Sequence, residues 1–345
     1  PEKSYQWNTS KEFDFVGPFD YLTNFKNPCF MNENNQLKCV PYFYLIGAPK
    51  AGSSDIFHRI TSHPQVVFGH NKEIRWFDRR RFGQALPNPT YRTFEGFLNF
   101  FSLATDNVSS SVSSFNGENY HNKVIGDGGP TYYFSSYYWK QVPGNEGCSE
   151  PRVTTMSHIH HLWPHAKLLL VLRNPVTRLL SSYYFNSEIT NGNRTAEQFH
   201  EWAEQSIKFW NDCINQYSFR YCMYDTNIQR HAKLFEINIG QYSRYVLDVL
   251  KIFPRKQLLV VHLEDYSANT ELWMRKIFHF LELEKLTDTE IQVISQLKAE
   301  NTSYVNKKKK RILEKTQKIL EEFFAPFNKE LADIMQDEKF LWLPK

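Results

Sequence analysis

No run of apolar residues in this 345-residue chain approaches the roughly 20 needed to cross a bilayer. Charge of one sign is also scarce. The 41 Lys and Arg against 37 Asp and Glu leave a formal +4, too little for a field that would favour nucleic acid. Only five cysteines are present, and no two stand in the C-x-x-C spacing of zinc or redox sites. Internal repeats are absent. No signal peptide is visible, and the abrupt start at Pro1 leads to the expectation of a membrane anchor upstream. What is abundant is aromatic: 28 Phe and 19 Tyr argue for a packed core and against disorder.

Cys29 and Cys39 are ten positions apart, and Cys213 and Cys222 nine. Two local disulfides in an oxidising compartment fit this placement, with Cys148 left over. The competing reading is five reduced cysteines in a cytosolic enzyme. Four N-x-[ST] sequons, at Asn8, Asn107, Asn193 and Asn301, agree with the secretory pathway, although such triplets are common by chance.

Residues 1–40 are polar and irregular and read as a lead-in packed on a main domain, 41–345. From Tyr42 onward short apolar runs alternate with helical stretches: "YFYLIG", "KVIGDG", "KLLLVLR" and "QLLVVHLED". Such runs indicate strands covered on both faces, hence a single α/β domain with a central, mostly parallel sheet flanked by helices. Helices are expected over 54–62, 177–184, 195–210, 242–252, 270–281 and 313–324. The Ser- and Asn-rich stretch 101–123 reads as a surface loop.

"YLIGAPKAGSSD", residues 44–55, resembles a phosphate-binding loop with its lysine displaced. A Walker A loop places lysine directly after the second glycine; here Ser53 stands there and Lys50 lies inside the loop. A strand, a Gly47–Gly52 turn and a helix start aim amides at an anion. In "LLLVLRNPVTRLLSS" Arg173 stands at a strand's carboxyl end, the rim where ligands gather in open α/β sheets. Ser181 falls two turns into the next helix. An arginine fork and a hydroxyl suit a phosphate dianion, where a P-loop kinase would carry an aspartate for magnesium.

The blocks "PKAGSSD", "NKEIRWF", "GDGGPTYYF", "LRNPVTRLLSSYY" and "FFAPFN" together resemble the Golgi carbohydrate sulfotransferases. These enzymes use 3′-phosphoadenosine 5′-phosphosulfate (PAPS) and release 3′-phosphoadenosine 5′-phosphate (PAP). "NDCINQYSFRYCMYD" and "DEKFLW" add likeness to the branch acting on chondroitin and dermatan sulfate, at the 6-hydroxyl of 4-sulfated N-acetylgalactosamine. The resemblance runs from about Asn27 to Trp342.

It implies a P-loop-type fold and a Golgi-luminal type II membrane protein, secreted after any cleavage, with a sulfated glycosaminoglycan as acceptor and no metal. Lys50, Ala51, Gly52, Ser53, Ser54 and Asp55 would hold the 5′-phosphosulfate, and Arg173 and Ser181 the 3′-phosphate. Glu73 would be the catalytic base, Lys50 and Lys72 would meet charge on the leaving oxygen, and Asp127 and Tyr132 would lie on the acceptor side. The basic run Lys308, Lys309, Lys310 and Arg311 stands where relatives close a glycine-containing loop over the cofactor; here the glycines are missing.

Other readings compete, among them a sulfotransferase acting on another glycan acceptor, heparan-type or other. A surface Lys–Glu pair is the commoner fate of Lys72 and Glu73, and a charge run is commonly a solvated face. A P-loop kinase would need the missing lysine and a magnesium aspartate, for which only Asp265 offers itself. A catalytically dead glycan-binding protein would keep the scaffold without the chemistry. His158, His161 and His165 in "SHIHHLWPH" share a helical face but lack an acidic co-ligand, so packing histidines are the expectation there.

Overall fold

In the computed structural model the apolar runs become strands, each buried along most of its length. The structure describes residues 17, 19–69, 72–84, 89–115, 117–190, 195–225, 237–299 and 311–343. The strands are β1 (Cys29–Met31), β2 (Leu37–Cys39), β3 (Phe43–Gly47), β4 (Val66–Val67), β5 (Ser113–Phe115), β6 (Glu118–Tyr120), β7 (Val124–Gly128), β8 (Lys167–Leu172) and β9 (Leu258–His262). Five form one sheet in the order β4-β7-β3-β8-β9, and every pairing in it is parallel. The expected α/β domain with a parallel sheet between helices is therefore what the chain builds. β3 and β7 are buried at every position, which is why their runs are apolar rather than alternating.

The lead-in is stitched into the same core. β1 and β2 pair antiparallel with Cys29 opposite Cys39, and those two cysteines form a disulfide. Asn27 is fully buried; its amide donates to the Val40 carbonyl at 3.0 Å and accepts from the Ile125 amide at 2.8 Å, tying the lead-in to β7. Cys213 and Cys222 form the second disulfide, and Cys148 is a free thiol. Among the described residues no helix is long and apolar enough to cross a membrane.

Four local expectations are corrected. The supposed loop 101–123 contains a helix, Ser102–Ser110, and the β5–β6 hairpin. Ala104 and Val108, one helical turn apart, are wholly buried, so packing overrides a Ser/Asn-rich composition. A Cβ on Gly69 would come within 2.7 Å of the Ala104 amide, so this close approach needs a glycine. The helix expected to stop at Phe324 runs from Glu314 to Met335 with Pro326 inside it, held by buried Leu320, Phe324 and Leu331. "QLLVVHLED" is not strand throughout: it turns helical at Leu263, where the His262 ring accepts the Asp265 amide. Finally, the helix carrying His158 ends at Leu162, so His165 lies beyond it, edge-on to Trp163.

Candidate functional site

The site occupies the carboxyl rim of β3, β7 and β8. β3 ends at Gly47, and the helix Ser53–Thr61 starts after Gly52, whose φ of 81° is a left-handed conformation natural to glycine. No side chain caps this helix, so its first amides and its dipole remain available to an anion. Lys50, in the turn between, is also left-handed at φ 64°, a costly backbone for a lysine. Its ammonium lies 3.5 Å from the centre of the Phe185 ring. Ala51 and Ser53 are buried and Ser54 half-buried.

Arg173 follows β8 and closes over that turn. Nη1 donates to the Lys50 carbonyl at 3.3 Å, Nε donates to Thr177 Oγ1 at 2.9 Å, and the Arg173 carbonyl accepts from the Tyr242 hydroxyl at 2.9 Å. Burial pushes its guanidinium below the ordinary value, partly opposed by Glu264 and Tyr242. Ser181 is half-buried on the helix Pro175–Thr190, and Phe185 stands one turn further on. The rim thus gathers Lys50, Arg173 and an uncapped helix start, the parts of an anion site.

Lys72 and Glu73 join this rim from a distant stretch of chain. The Glu73 amide donates to the Gly128 carbonyl at 3.0 Å, fixing the segment to the end of β7. Lys72 Nζ donates to Ser54 Oγ at 2.8 Å and approaches Ser53 Oγ at 3.4 Å, while Glu73 Oε1 lies 3.7 Å away. Burial pushes the Lys72 ammonium below the ordinary lysine value, and Glu73 and Asp127 oppose that shift. Glu73, at φ 70°, is again a non-glycine in the left-handed region, with its side chain 40% exposed. A carboxylate is held open beside an ammonium at the mouth of the anion site.

Asp127 and Tyr132 sit behind that mouth. Both are buried, and the Tyr132 hydroxyl donates to Asp127 Oδ2 at 2.8 Å. Burial, reinforced by Asp78 and Glu73 and opposed by the Tyr132 hydrogen bond, raises the Asp127 carboxyl to about 7. Burial also pushes the Tyr132 phenol well above its ordinary value.

Asp55 is engaged elsewhere. Arg59 donates to both its oxygens, at 3.0 and 3.1 Å, and the Tyr266 hydroxyl donates to Oδ2. Arg59 also donates to the carbonyls of Ile294 and Leu297, so Asp55 anchors the first helix to the C-terminal helices. Arg311 is exposed and its carbonyl accepts from the Tyr184 hydroxyl at 3.3 Å; Lys308, Lys309 and Lys310 lie outside the described residues. Asn107 is exposed on its helix, with Oδ1 accepting from Lys123 Nζ at 3.1 Å, whereas Asn8, Asn193 and Asn301 lie outside the described residues. His158 is buried 3.3 Å from Arg81 Nη1. Among the described residues no group of three His, Cys, Asp or Glu side chains is placed to hold a metal ion.

Sequence reasoning passed over Phe185 and Glu264. Glu264 accepts from the Asn174 amide at 3.0 Å and from Trp342 Nε1 at 3.3 Å, bracing the turn after β8 from the C-terminus. "LEDY" carries no mark of that duty; only the fold brings Asn174 and Trp342 to it. The aromatic block "LSSYYF" did hold Phe185 four positions after Ser181, a spacing that would have put both on one face.

The sulfotransferase domain family matches residues 45–332. Carbohydrate sulfotransferase 15 of Mus musculus is 34% identical over 317 residues, covering 89% of this chain and 55% of the relative; the Homo sapiens protein is 32% identical over 314 residues, with the same coverage. The chain thus spans about half the length of these curated relatives. Membrane-associated sulfotransferase kil1 of Dictyostelium discoideum is 28% identical over 170 residues, covering 49% of this chain and 28% of the relative. Among solved structures, a sulfotransferase from Alicyclobacillus acidocaldarius superposes with a TM-score of 0.52 at 19% identity, covering 86% of this chain and 96% of its own, a likeness of fold alone. With the family match running from the middle of β3 into the last long helix, the chain belongs to the sulfotransferase family.

Proposed function

We propose that this chain transfers a sulfonate from PAPS to a hydroxyl of a glycosaminoglycan, taken as the 6-hydroxyl of 4-sulfated N-acetylgalactosamine in chondroitin or dermatan sulfate. The observation carrying the reading is the Lys72 bridge. One ammonium contacts the serines at the helix start and stands beside Glu73, joining the anion site to a carboxylate. In the reaction Glu73 takes the acceptor's proton as its oxygen bonds to sulfur. The bond from sulfur to the bridging oxygen breaks, and PAP leaves with the electron pair. Lys50 and Lys72 meet the charge that grows on that oxygen. Arg173 and Ser181 take the 3′-phosphate, and the amides from Ala51 to Ser54 take the 5′-phosphate. The low pKa of the phosphate leaving group makes a general acid unnecessary.

The setting is the Golgi lumen, with an anchor outside the stretch described. Both disulfides, the exposed Asn107 sequon and the likeness to carbohydrate sulfotransferases support it. The kinase alternative loses ground because Asp265 sits on a helix paired with Lys339 at 2.7 Å. Two measurements test the reading. PAP without magnesium should raise the melting temperature, by about 2.7 kcal/mol of stabilisation at 100 times its Kd. Labelled PAPS should sulfate a panel of partially sulfated polysaccharides, with disaccharide analysis locating the new ester. Stabilisation by ATP with magnesium but not by PAP contradicts it.

A further inference from the structure

The turn that follows Glu73 carries positive charge of which the described residues take up only part. Arg75, two residues beyond Glu73, is a third non-glycine held in the left-handed region, at φ 55°. Among the described residues its guanidinium makes one ion pair, from Nη2 to Asp78 Oδ2, at a long 3.4 Å. Nε is buried and has no hydrogen-bond partner among the described residues. Asp78 Oδ2 also accepts from the Thr131 hydroxyl at 2.8 Å. The amides of Arg79 and Arg80 both donate to the Arg75 carbonyl at 3.0 Å, so three arginines share one tight backbone turn. Arg80 Nε is likewise buried without a partner, and its guanidinium lies 5.1 Å from the centre of the Phe100 ring.

A planar fork kept part-buried with open donors carries a desolvation cost that a ligand oxyanion would offset. We propose that Arg75, supported by the charges of Arg79 and Arg80, binds an oxyanion already present on the acceptor, so that this turn selects anionic saccharides and sets the distance from that group to Glu73. The proposal rests on the sulfotransfer reading and deepens it. The oxyanion is a sulfate ester or a uronate carboxylate, both of which an arginine fork can meet with two parallel hydrogen bonds. Arg75 here is a specificity residue. The proton transfer belongs to Glu73.

The experiment compares kcat/KM on 4-sulfated chondroitin, on its chemically desulfated form and on its carboxyl-reduced form. The variants are Arg75→Lys and the double variant Arg75→Ala with Asp78→Asn, the latter removing the buried carboxylate that Arg75 would leave behind. If the sulfate is read, the wild-type preference for the sulfated over the desulfated polymer falls about tenfold or more in both variants, the scale of losing a charged hydrogen bond. If the carboxylate is read, the same fall appears between the native and carboxyl-reduced polymers. PAP affinity, measured by calorimetry, stays as in the wild type. A structural counter-ion would behave differently: melting temperature and turnover would fall on every polymer alike, with the preferences intact, and that result overturns the proposal. A wild-type protein that neither binds PAP nor transfers sulfate overturns the sulfotransfer reading and this one with it.

Discussion

The two sides of the rim are built on opposite terms. Around Lys50 and Arg173 several side chains hold one another, although Gln241 Nε2 and Oε1 and Ser243 Oγ are buried with no partner among the described residues. Arg173 holds the Lys50 carbonyl and Thr177, Tyr242 holds Arg173, Glu264 holds the Asn174 amide, and Asp55 is locked between Arg59 and Tyr266. Around Glu73 the backbone is left-handed at Glu73 and Arg75, as it is at Lys50 across the rim, and Arg75 Nε, Asp78 Oδ1 and Arg80 Nε have no partner among the described residues. On the proposed reading, a side that receives one invariant nucleotide gains from being organised in advance, which reduces reorganisation on binding. The other side would meet the acceptor, whose groups would complete bonds that the described residues leave open.

The sharpest way to break this contrast is to unmake the finished side. Asp55→Ala leaves Arg59 buried without its carboxylate, and stability should fall by about 3–5 kcal/mol, the usual loss when one partner of a buried pair is removed. Chemical denaturation measures it. PAP affinity at a temperature where the variant is folded should change little, because the Asp55 oxygens face Arg59 and Tyr266. A large loss of affinity with stability intact would return Asp55 to the cofactor site.

That outcome bears on what the sequence could say. The four apolar runs placed β3, β7, β8 and β9 because strands buried on both faces must be continuously apolar. The two residues of β4 were too few to show a period. The displaced lysine and Arg173 drew notice because a lysine inside a glycine turn and an arginine at a strand end carry chemical meaning, whereas Lys72 and Glu73 were singled out only through the resemblance. Asp55 was not separable from its neighbours in "GSSD": its partners Arg59 and Tyr266 are respectively 4 and 211 positions away, and only the fold chooses between them and a ligand. Glu264 escaped for the same reason, as its contacts with Asn174 and Trp342 are set by the fold. The helix Ser102–Ser110 escaped because two buried side chains outweighed a composition that favours loops.

On the chemical side, Glu73→Gln preserves shape and removes the basic oxygen, so turnover should fall by roughly 10²-fold or more while PAP affinity stays near that of the wild type. Near-normal turnover would refute the assignment of the base and direct attention to Asp127. Arg173→Ala should show the reverse. On the proposed reading it removes a contact to the nucleotide made before and during reaction, so PAP affinity should weaken by about tenfold or more, the scale of a charged hydrogen bond, and calorimetry reads it directly. Equal effects of both variants on both quantities would dissolve the division between the two sides.

A further expected effect is one of pH. Asp127 is buried with a tyrosine hydroxyl as its hydrogen-bond partner, and its carboxyl titrates at about 7 in place of 3.8. Below pH 4 both folded and unfolded chains carry this proton, and the group's contribution to stability is complete. Between 4 and 7 the unfolded chain releases the proton while the folded chain keeps it, so stability declines as pH rises. Above about 7 the folded chain releases it too, and the decline levels off. Asp127→Asn can still accept from Tyr132 but does not titrate, so its melting temperature should gain on the wild type steadily from pH 4 to 7 and then hold a constant lead. Ionisation near 7 also adds a negative charge close to Lys72, reinforcing the ammonium that bridges the two sides. Parallel melting curves for the two proteins across this range would show that Asp127 is ionised in the fold throughout, and that the Glu73 side is less desolvated than its burial implies.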